Sequence, residues 1–386
     1  MRSAEKQILI ACARTRLSDP YAKQIAALAR QPVDWTALIN GATAHGVLPL
    51  LCRQLLAICP ESVPAEWRPR LRMALQETAQ RNLFLAAEMI RLAKRFRAEG
   101  IQAIPYKGPL LAAQAYGDLA LRQFADLDFA LLQSEMPRAA ALLEAEGFDA
   151  VFGRIESNEG ERPTRSEYQF RKASGNVIVE LQTEKTLRYY PRPLELEEMR
   201  YRLKAAKLAD GEIVGFSPED TFILLAVHGT KHFWERLIWI ADIAELTLSA
   251  GEINWGTLFE RANKMGAGRM VRLALCVAST MLDTPLPEEV LEQTQRDAVA
   301  HRLARGICER FSLEILTPPV FQRFRFRVAT RERFNEGVLY ALKLATSPTD
   351  PDRADLPLPK KLSGAHRWVR PFLLIRRYGI RGPKSG

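Results

Sequence analysis

The sequence predicts an α+β fold in which a unit of strands and helices is flanked on both sides by helical segments. From residue 3 to about residue 100, apolar residues recur at helical spacing, and the same pattern returns from Pro218 onwards. Between these two parts, short apolar runs predict strands instead. The predicted strands are 101–106, 126–132, 148–155, 166–173 and 177–183.

Composition and length place the chain among ordinary globular proteins. The 386 residues are enough for two or three structural units, and 47% apolar with 26% charged residues is an ordinary composition that indicates neither a fibrous nor a disordered class. We expect four regions. They are an N-terminal helical domain (1–100), an α/β unit (101–216), a C-terminal helical domain (217–345) and a Pro-rich basic tail (346–386).

The chain shows no sign of export. No stretch approaches the roughly 20 uninterrupted apolar residues of a membrane-spanning helix, and charges interrupt the N-terminal segment. The five cysteines are scattered and never form a C-x-x-C pair, a pattern typical of reduced thiols. We therefore expect a cytoplasmic protein.

The net charge of +10 is concentrated in the last part of the chain. Residues 301–386 contain 18 Lys and Arg against 7 Asp and Glu, so the rest of the chain is nearly neutral. This tail, which also carries Trp368, Phe372 and Tyr378, has the composition of a surface that contacts a membrane, a nucleic acid or another anionic partner. Alternatively, its apolar side packs on the body and leaves the arginines in solvent.

A pair of aspartates interrupts the predicted strand 126–132. Side chains two residues apart on a strand point to the same face, so Asp126 and Asp128 would place two carboxylates side by side. Two negative charges at this separation repel each other unless a cation lies between them. A hard divalent cation, which prefers oxygen ligands, would satisfy this requirement.

A third carboxylate, Glu180, interrupts the otherwise apolar strand 177–183. If this strand lies beside the strand of Asp126 and Asp128, Glu180 faces the same site and could help to deprotonate an attacking hydroxyl. The alternative is that these acids are solvent-facing residues of edge strands.

Basic residues lie just before the aspartates. Lys107 and Gly108 end the first strand where a helix over 109–116 is predicted, so the ammonium group and the helix N-terminus could hold a phosphate. Alternatively, they form a simple turn that needs glycine. Arg122 could steady a phosphate or pair with an acid such as Asp118.

A second candidate cluster follows about 50 residues after Glu180. His228, Lys231 and His232 are spaced i, i+3 and i+4, which places them on one face of a helix, where they could contact a triphosphate or a base. A zinc site is less favoured because the glutamate of H-E-x-x-H is missing. Alternatively, the histidines pack between domains. Asp242 could orient one of these residues or belong to a surface pair.

These motifs resemble the uncharacterised nucleotidyltransferase family of the DNA polymerase β-like nucleotidyltransferase superfamily. The first similar stretch runs from Lys107-Gly108 to Asp126-Leu127-Asp128. The similarity continues over nearly the whole chain, in segments that share the family's other characteristic positions. They are Asp34-Trp35, His45-Gly46-Val47, His228-Gly229-Thr230-Lys231-His232, Trp234, Leu237, Trp239, Asp242, Leu356-Pro357-Leu358-Pro359 and Arg370-Pro371.

The resemblance implies a polymerase β-like palm, a mixed sheet with helices, flanked by helical domains. It implies that Asp126 and Asp128 hold Mg²⁺ or Mn²⁺ with Glu180 as the third carboxylate. It also implies that Lys107 and Gly108 replace the nucleotide-binding Gly-Ser turn of the superfamily. The reaction would move a nucleoside monophosphate from a nucleoside triphosphate, with ATP expected, to an acceptor hydroxyl on a protein, peptide, sugar, small molecule or RNA end.

The chain departs from the family's pattern at the third strand. Glu180-Leu181-Gln182 stands where Asp-Leu-His is common, and Gln123 and Ala125 stand where Pro and Ser are common. These departures support an alternative function, a nucleotide-binding regulatory or scaffold protein with the same fold and little or no turnover.

Overall fold

A five-stranded mixed sheet forms the middle of the chain in the computed structural model, which describes residues 3–152, 167–183, 196–249, 253–346, 356 and 365–378. The strand order is β1-β2-β5-β4-β3, with β2 parallel to β5 and the other neighbours antiparallel. The strands are β1 (Ile104–Tyr106), β2 (Asp126–Leu131), β3 (Asp149–Phe152), β4 (Glu167–Lys172) and β5 (Val177–Thr183).

The predicted strands at 126–132 and 177–183 are confirmed within one residue. The predicted strand 101–106 is wrong in its first half, because the amide of Ile101 bonds to the Phe96 carbonyl and the amide of Gln102 bonds to the Glu135 carboxylate. The predictions at 148–155 and 166–173 correspond to β3 and β4. Residues 153–155 and 166 lie outside the described residues.

Five helices precede the sheet. They are α1 (Ala4–Cys12), α2 (Asp19–Ala29), α3 (Trp35–Ala44), α4 (Leu48–Ile58) and α5 (Trp67–Ala98). Asp34 caps α3, because its side chain accepts a hydrogen bond from the amide of Ala37. The turn from α3 to α4 depends on Gly46, whose φ of 73° would strain any other residue.

Three α-helices lie among the described residues of the α/β unit. They are α6 (Gly108–Leu111), α7 (Met136–Ala145) and α8 (Leu196–Arg200). The predicted helix 109–116 begins as α6 and continues as a wider π-helical turn, Ala112–Tyr116. A hairpin of β6 (Lys204–Leu208) and β7 (Gly211–Gly215) was not predicted, because Lys and Ala dominate β6 and both have low strand propensity.

The chain then returns to helices, as predicted. They are α9 (Pro218–Lys231), α10 (Leu237–Ser249), α11 (Trp255–Lys264), α12 (Gly268–Leu282), α13 (Glu288–Gln295), α14 (Ala298–Arg310), α15 (Val320–Ala329), α16 (Phe334–Thr346) and α17 (His366–Tyr378). None of the helices in the described ranges has both the length and the apolar character needed to cross a bilayer. The α+β fold class with flanking helices is therefore confirmed.

Two hydrophobic cores hold these elements together. On one face of the sheet, Leu127 and Phe129 of β2 and Val179 of β5 pack with α5 and α7. Helices from both ends of the chain, represented by Leu50 of α4 and Leu275 of α12, share the other core. The division into four regions stays a prediction, but the two helical parts contribute to one common core.

Only part of the predicted tail 346–386 is described. Residues 347–355, 357–364 and 379–386 lie outside the described residues. In α17, Trp368 and Phe372 are 72% and 71% exposed, whereas Leu373 is buried. Contact of this tail with a membrane or a nucleic acid stays a prediction.

The turn after α9 depends on close packing of an indole ring against a glycine. Trp234, which is buried, lies so close to Gly229 that a Cβ atom there would come within 2.6 Å of the ring. We expect Gly229→Ala to lower the free energy of unfolding by about 1–3 kcal/mol, because the overpacked ring must shift. Chemical denaturation would measure the change.

Gly256 provides the matched control. It lies in the first turn of α11, where a Cβ atom would meet only the side-chain oxygen of Asn254 at 3.5 Å. Gly256→Ala should be neutral or stabilise by up to about 1 kcal/mol, since alanine is the better helix former. Equal effects of the two substitutions would show that the packing of Trp234 is not the cause.

Candidate active site

The three predicted carboxylates lie on one face of the sheet. In the parallel pairing of β2 with β5, Asp128 is the register partner of Glu180, and Asp126 is the partner of Ile178. Because side chains alternate along a strand, Leu127 points into the opposite core while the acids face away from it. Asp126, Asp128 and Glu180 therefore line the same cavity, whose volume is about 320 Å³.

Elements from three parts of the chain enclose this cavity. The sheet supplies the carboxylates, and the segments next to β1 and β2 supply Lys107 and residues 122–125. The end of α3 and the turn after it supply Thr43 and Gly46, and the segment around α9 and α10 supplies the rest. The lining residues outside the sheet are Thr43, Gly46, Lys107, Arg122, Gln123, Phe124, Ala125, His228, Arg236, Ile238 and Trp239. The site thus lies between the palm and the helical body.

Lys107 supplies a positive charge inside the carboxylate cluster. Its ammonium nitrogen lies 3.2 Å from Oδ1 of Asp128, and both side chains are almost fully buried. Burial alone would lower the pKa of Lys107, but the surrounding acidic groups together, with Asp128 the strongest of them, raise the pKa above the ordinary value. Gly108 follows with a φ of +43°, and a Cβ atom there would lie 3.4 Å from the Asp126 carbonyl oxygen.

An amide side chain bridges two of the carboxylates. Nε2 of Gln182 donates to Oδ1 of Asp128 at 3.2 Å and to Oε1 of Glu180 at 2.9 Å. The hydroxyl of Tyr106 donates to Oε1 of Gln182, which leaves the amide NH₂ group to face the acids. The sequence pattern had not assigned a role to Tyr106, whose only signal is its place directly before Lys107.

Asp126 is the carboxylate whose charge is least compensated. Burial raises its pKa to about 6, with the negative charge of Asp128 as the second cause. Within the described ranges, no other side chain donates a hydrogen bond to it or forms an ion pair with it. A cation bound here would relieve this unfavourable charge.

The donor set fits a hard divalent cation in its chemistry, because three carboxylates on two adjacent strands offer only oxygen ligands. The described part of the chain nevertheless holds no group of three or more His, Cys, Asp or Glu side chains already arranged to bind a metal. Lys107 and Gln182 occupy oxygens of Asp128 and Glu180 instead.

Arg122 forms a buried ion pair, but with a different acid from the one suggested by the sequence. Its Nε and Nη2 atoms lie 2.7 and 2.8 Å from the two oxygens of Asp242 on α10. Asp118 instead accepts a hydrogen bond from the amide of Ala120. Tyr116 also donates to Asp242, at 2.7 Å, so this cluster joins the sheet unit to α10.

The histidine cluster forms an aromatic group at the end of α9. The ring centroid of His228 lies 4.8 Å from that of His232 and 5.4 Å from that of Trp239. Burial lowers the pKa of His232 to about 3 and also lowers that of His228, so both rings are neutral at pH 7. His228 lines the cavity, whereas Lys231 and His232 are not among the lining residues, and their contact with a triphosphate stays a prediction.

A mixed palm with three carboxylates on adjacent strands, covered by helices, is the architecture expected for a nucleotidyltransferase. The chain belongs to the uncharacterised nucleotidyltransferase family, whose model matches residues 31–283. One similar solved structure is an antigenic nucleotidyltransferase-like protein from Paracoccidioides brasiliensis. It is 15% identical, with 55% of this chain and 92% of that chain covered, at a TM-score of 0.35. The search of curated proteins found no match.

Protonation of Asp126 should stabilise the metal-free protein. Its pKa in the folded chain, about 6, lies above its ordinary value of 3.8, so this contribution is complete below about pH 4 and is lost as the pH rises through 6. In EDTA, wild type and Asp126→Asn should be similarly stable at pH 4, and wild type should be less stable by about 1–3 kcal/mol at pH 7. A difference that does not vary with pH would contradict the raised pKa. Measuring the difference between the two proteins cancels the titration of the histidines.

The Arg122–Asp242 pair should be essential for folding. Asp242→Ala leaves the buried guanidinium without its partner, and we expect it to cost about 3–5 kcal/mol in the free energy of unfolding. Adding Arg122→Met should recover part of this loss. The exposed pair Arg296–Glu292 gives the control, since Glu292→Ala should cost less than about 1 kcal/mol. A similar cost at both sites would show that burial does not control the effect.

Proposed function

We propose that this protein transfers a nucleoside monophosphate from a nucleoside triphosphate to a hydroxyl acceptor in a reaction that depends on Mg²⁺ or Mn²⁺. ATP is the expected donor. The observation that carries the proposal is the common cavity of Asp126, Asp128 and Glu180, in a chain that belongs to a nucleotidyltransferase family. Three acids facing one cavity are costly to fold and suit a cation-dependent reaction on phosphate.

The chain's own residues would position the reactants and neutralise charge. Asp126, Asp128 and Glu180 would hold the divalent cation, which when bound neutralises the phosphates and polarises the transferred group. Glu180 could also accept the proton of the acceptor hydroxyl. Lys107 and Gly108 lie at the start of α6 beside these acids and would bind phosphate oxygens.

The aromatic part of the cavity wall suits a planar base. His228 and Trp239 are both lining residues, and the neutral ring of His228 offers an aromatic face without a charge. The volume of about 320 Å³ falls at the lower end of the range of about 300–1,000 Å³ that is usual for small-molecule sites. The acceptor would be a hydroxyl of a protein, peptide, sugar or small molecule.

Loss of the aspartate pair should abolish the reaction. With labelled ATP and Mg²⁺ or Mn²⁺, wild type should release pyrophosphate and label an acceptor supplied as a cell extract. Asp126→Ala with Asp128→Ala should lower the rate by about 10²–10³-fold or more, because the charge on the transferred phosphate is no longer neutralised.

Asp149→Ala is the matched control. Asp149 is an exposed aspartate on β3, at the far edge of the same sheet, and its loss should leave the rate unchanged. Equal rates for wild type and the double variant would contradict the proposed function.

One observation favours a second candidate, a nucleotide-binding regulatory or scaffold protein with little turnover. Gln182 stands where the family commonly has a histidine. Its amide donates a hydrogen bond to Glu180, which makes Glu180 a weaker base. This candidate expects nucleotide to bind in calorimetry while no pyrophosphate is released with any nucleotide. Pyrophosphate release that depends on Glu180 would exclude it.

A further inference from the structure

Lys107 has an unusual backbone conformation for a lysine. Its φ of 54° and ψ of −150° lie near a region of backbone space that is essentially restricted to glycine. Such strain persists only where the surrounding structure holds the residue in place, and it is concentrated at functional sites. Here the strained backbone directs a long cationic side chain toward the buried carboxylate of Asp128.

The ammonium group of Lys107 lies against the carboxylate that a metal ion held by all three acids would share. It contacts Oδ1 of Asp128 at 3.2 Å, and the same oxygen accepts a hydrogen bond from Gln182. Asp128 stands between the other two acids, since Asp126 precedes it on β2 and Glu180 is its partner on β5. A divalent cation bound by all three acids and the ammonium group in its present position would therefore compete for the Asp128 carboxylate and its negative charge.

The ammonium group of Lys107 could bind a phosphate group instead of Asp128. A lysine ammonium is a point charge on a flexible four-carbon stem, and it binds phosphate oxygens readily. Once displaced from Asp128, it would remain at the start of α6, next to the cavity that it lines.

We propose that Lys107 is an internal counter-cation of Asp128, which gives way when a divalent cation binds and then binds a phosphate of the nucleotide. This inference rests on the proposed function, because it needs the metal and the nucleotide at this site. Without a metal, the positive charge of Lys107 compensates the negative charge of Asp128 in the folded protein. With a metal, the same residue becomes a ligand for the substrate.

The proposal predicts effects of opposite sign when the ammonium group is removed. Lys107→Met should bind Mn²⁺ more tightly than wild type, by about tenfold or more, because the competing cation is gone. With Mn²⁺ saturating, the same variant should bind α,β-methylene-ATP more weakly, again by about tenfold, because a phosphate ligand is lost. A purely structural role for Lys107 would weaken both.

Isothermal titration calorimetry of the full chain measures both affinities. Arg236→Met is the matched control for the Mn²⁺ titration, since Arg236 is an exposed cation that lines the same cavity. Its removal should change the affinity by less than about threefold, because charges in solvent are screened. Lys107→Arg keeps a cation and should retain Mn²⁺ affinity close to that of wild type.

Lys107→Gly is a second variant that lacks the ammonium group. It removes the ammonium group and also relieves the strained backbone, so it should fold even if Lys107→Met does not. Its melting temperature should rise more with added Mn²⁺ than that of wild type, because tighter binding gives a larger stabilisation.

Two outcomes would overturn the inference. If wild type binds Mn²⁺ and the nucleotide analogue, but neither Lys107→Met nor Lys107→Gly binds Mn²⁺ more tightly, Lys107 does not compete with the metal and only the proposed function survives. If wild type itself binds no Mn²⁺ at any concentration that leaves it folded, both fail together.

Discussion

The parallel pairing of β2 with β5 is the constraint on which the site depends. It brings Asp128 beside Glu180, two residues along the strand from Asp126, on a face where Asp128 is buried and Asp126 and Glu180 are half-buried. Negative charges in such a place must be compensated from within the protein or by a bound cation. The ammonium of Lys107 and the amide of Gln182 provide the internal part of that compensation.

The negative charge of the three acids is only partly compensated, and this favours the binding of a cation. Burial and the negative charge of Asp128 raise the pKa of Asp126, and the Lys107 ammonium lies against Asp128 instead. A site that is partly neutralised can fold without a metal and still gain free energy when one binds. Tyr106 completes the arrangement by orienting the Gln182 amide.

The second organising interaction joins the sheet to the helices that cover it. Arg122 follows the turn that leads into β2, and Asp242 lies on α10, so their buried pair fixes α10 over the edge of the carboxylate face. With α10 in place, Trp239 and Arg236 become part of the cavity wall. The helices at the two ends of the chain share one core, and this explains why a turn of the N-terminal part also borders the site.

The sequence by itself determined the fold class, the carboxylate-bearing strands, the family and the three acids, because a period of two residues and local spacing decide which side chains share a face. Only the tertiary structure decided which polar side chains of the site pair with each other. Lys107 and Asp128 are separated by 21 residues, Tyr106 and Gln182 by 76, and Arg122 and Asp242 by 120. Contacts over such separations follow from how whole elements pack, and no local spacing encodes them. The strained backbone conformation of Lys107 also depends on the tertiary structure, because only the folded surroundings hold it in place.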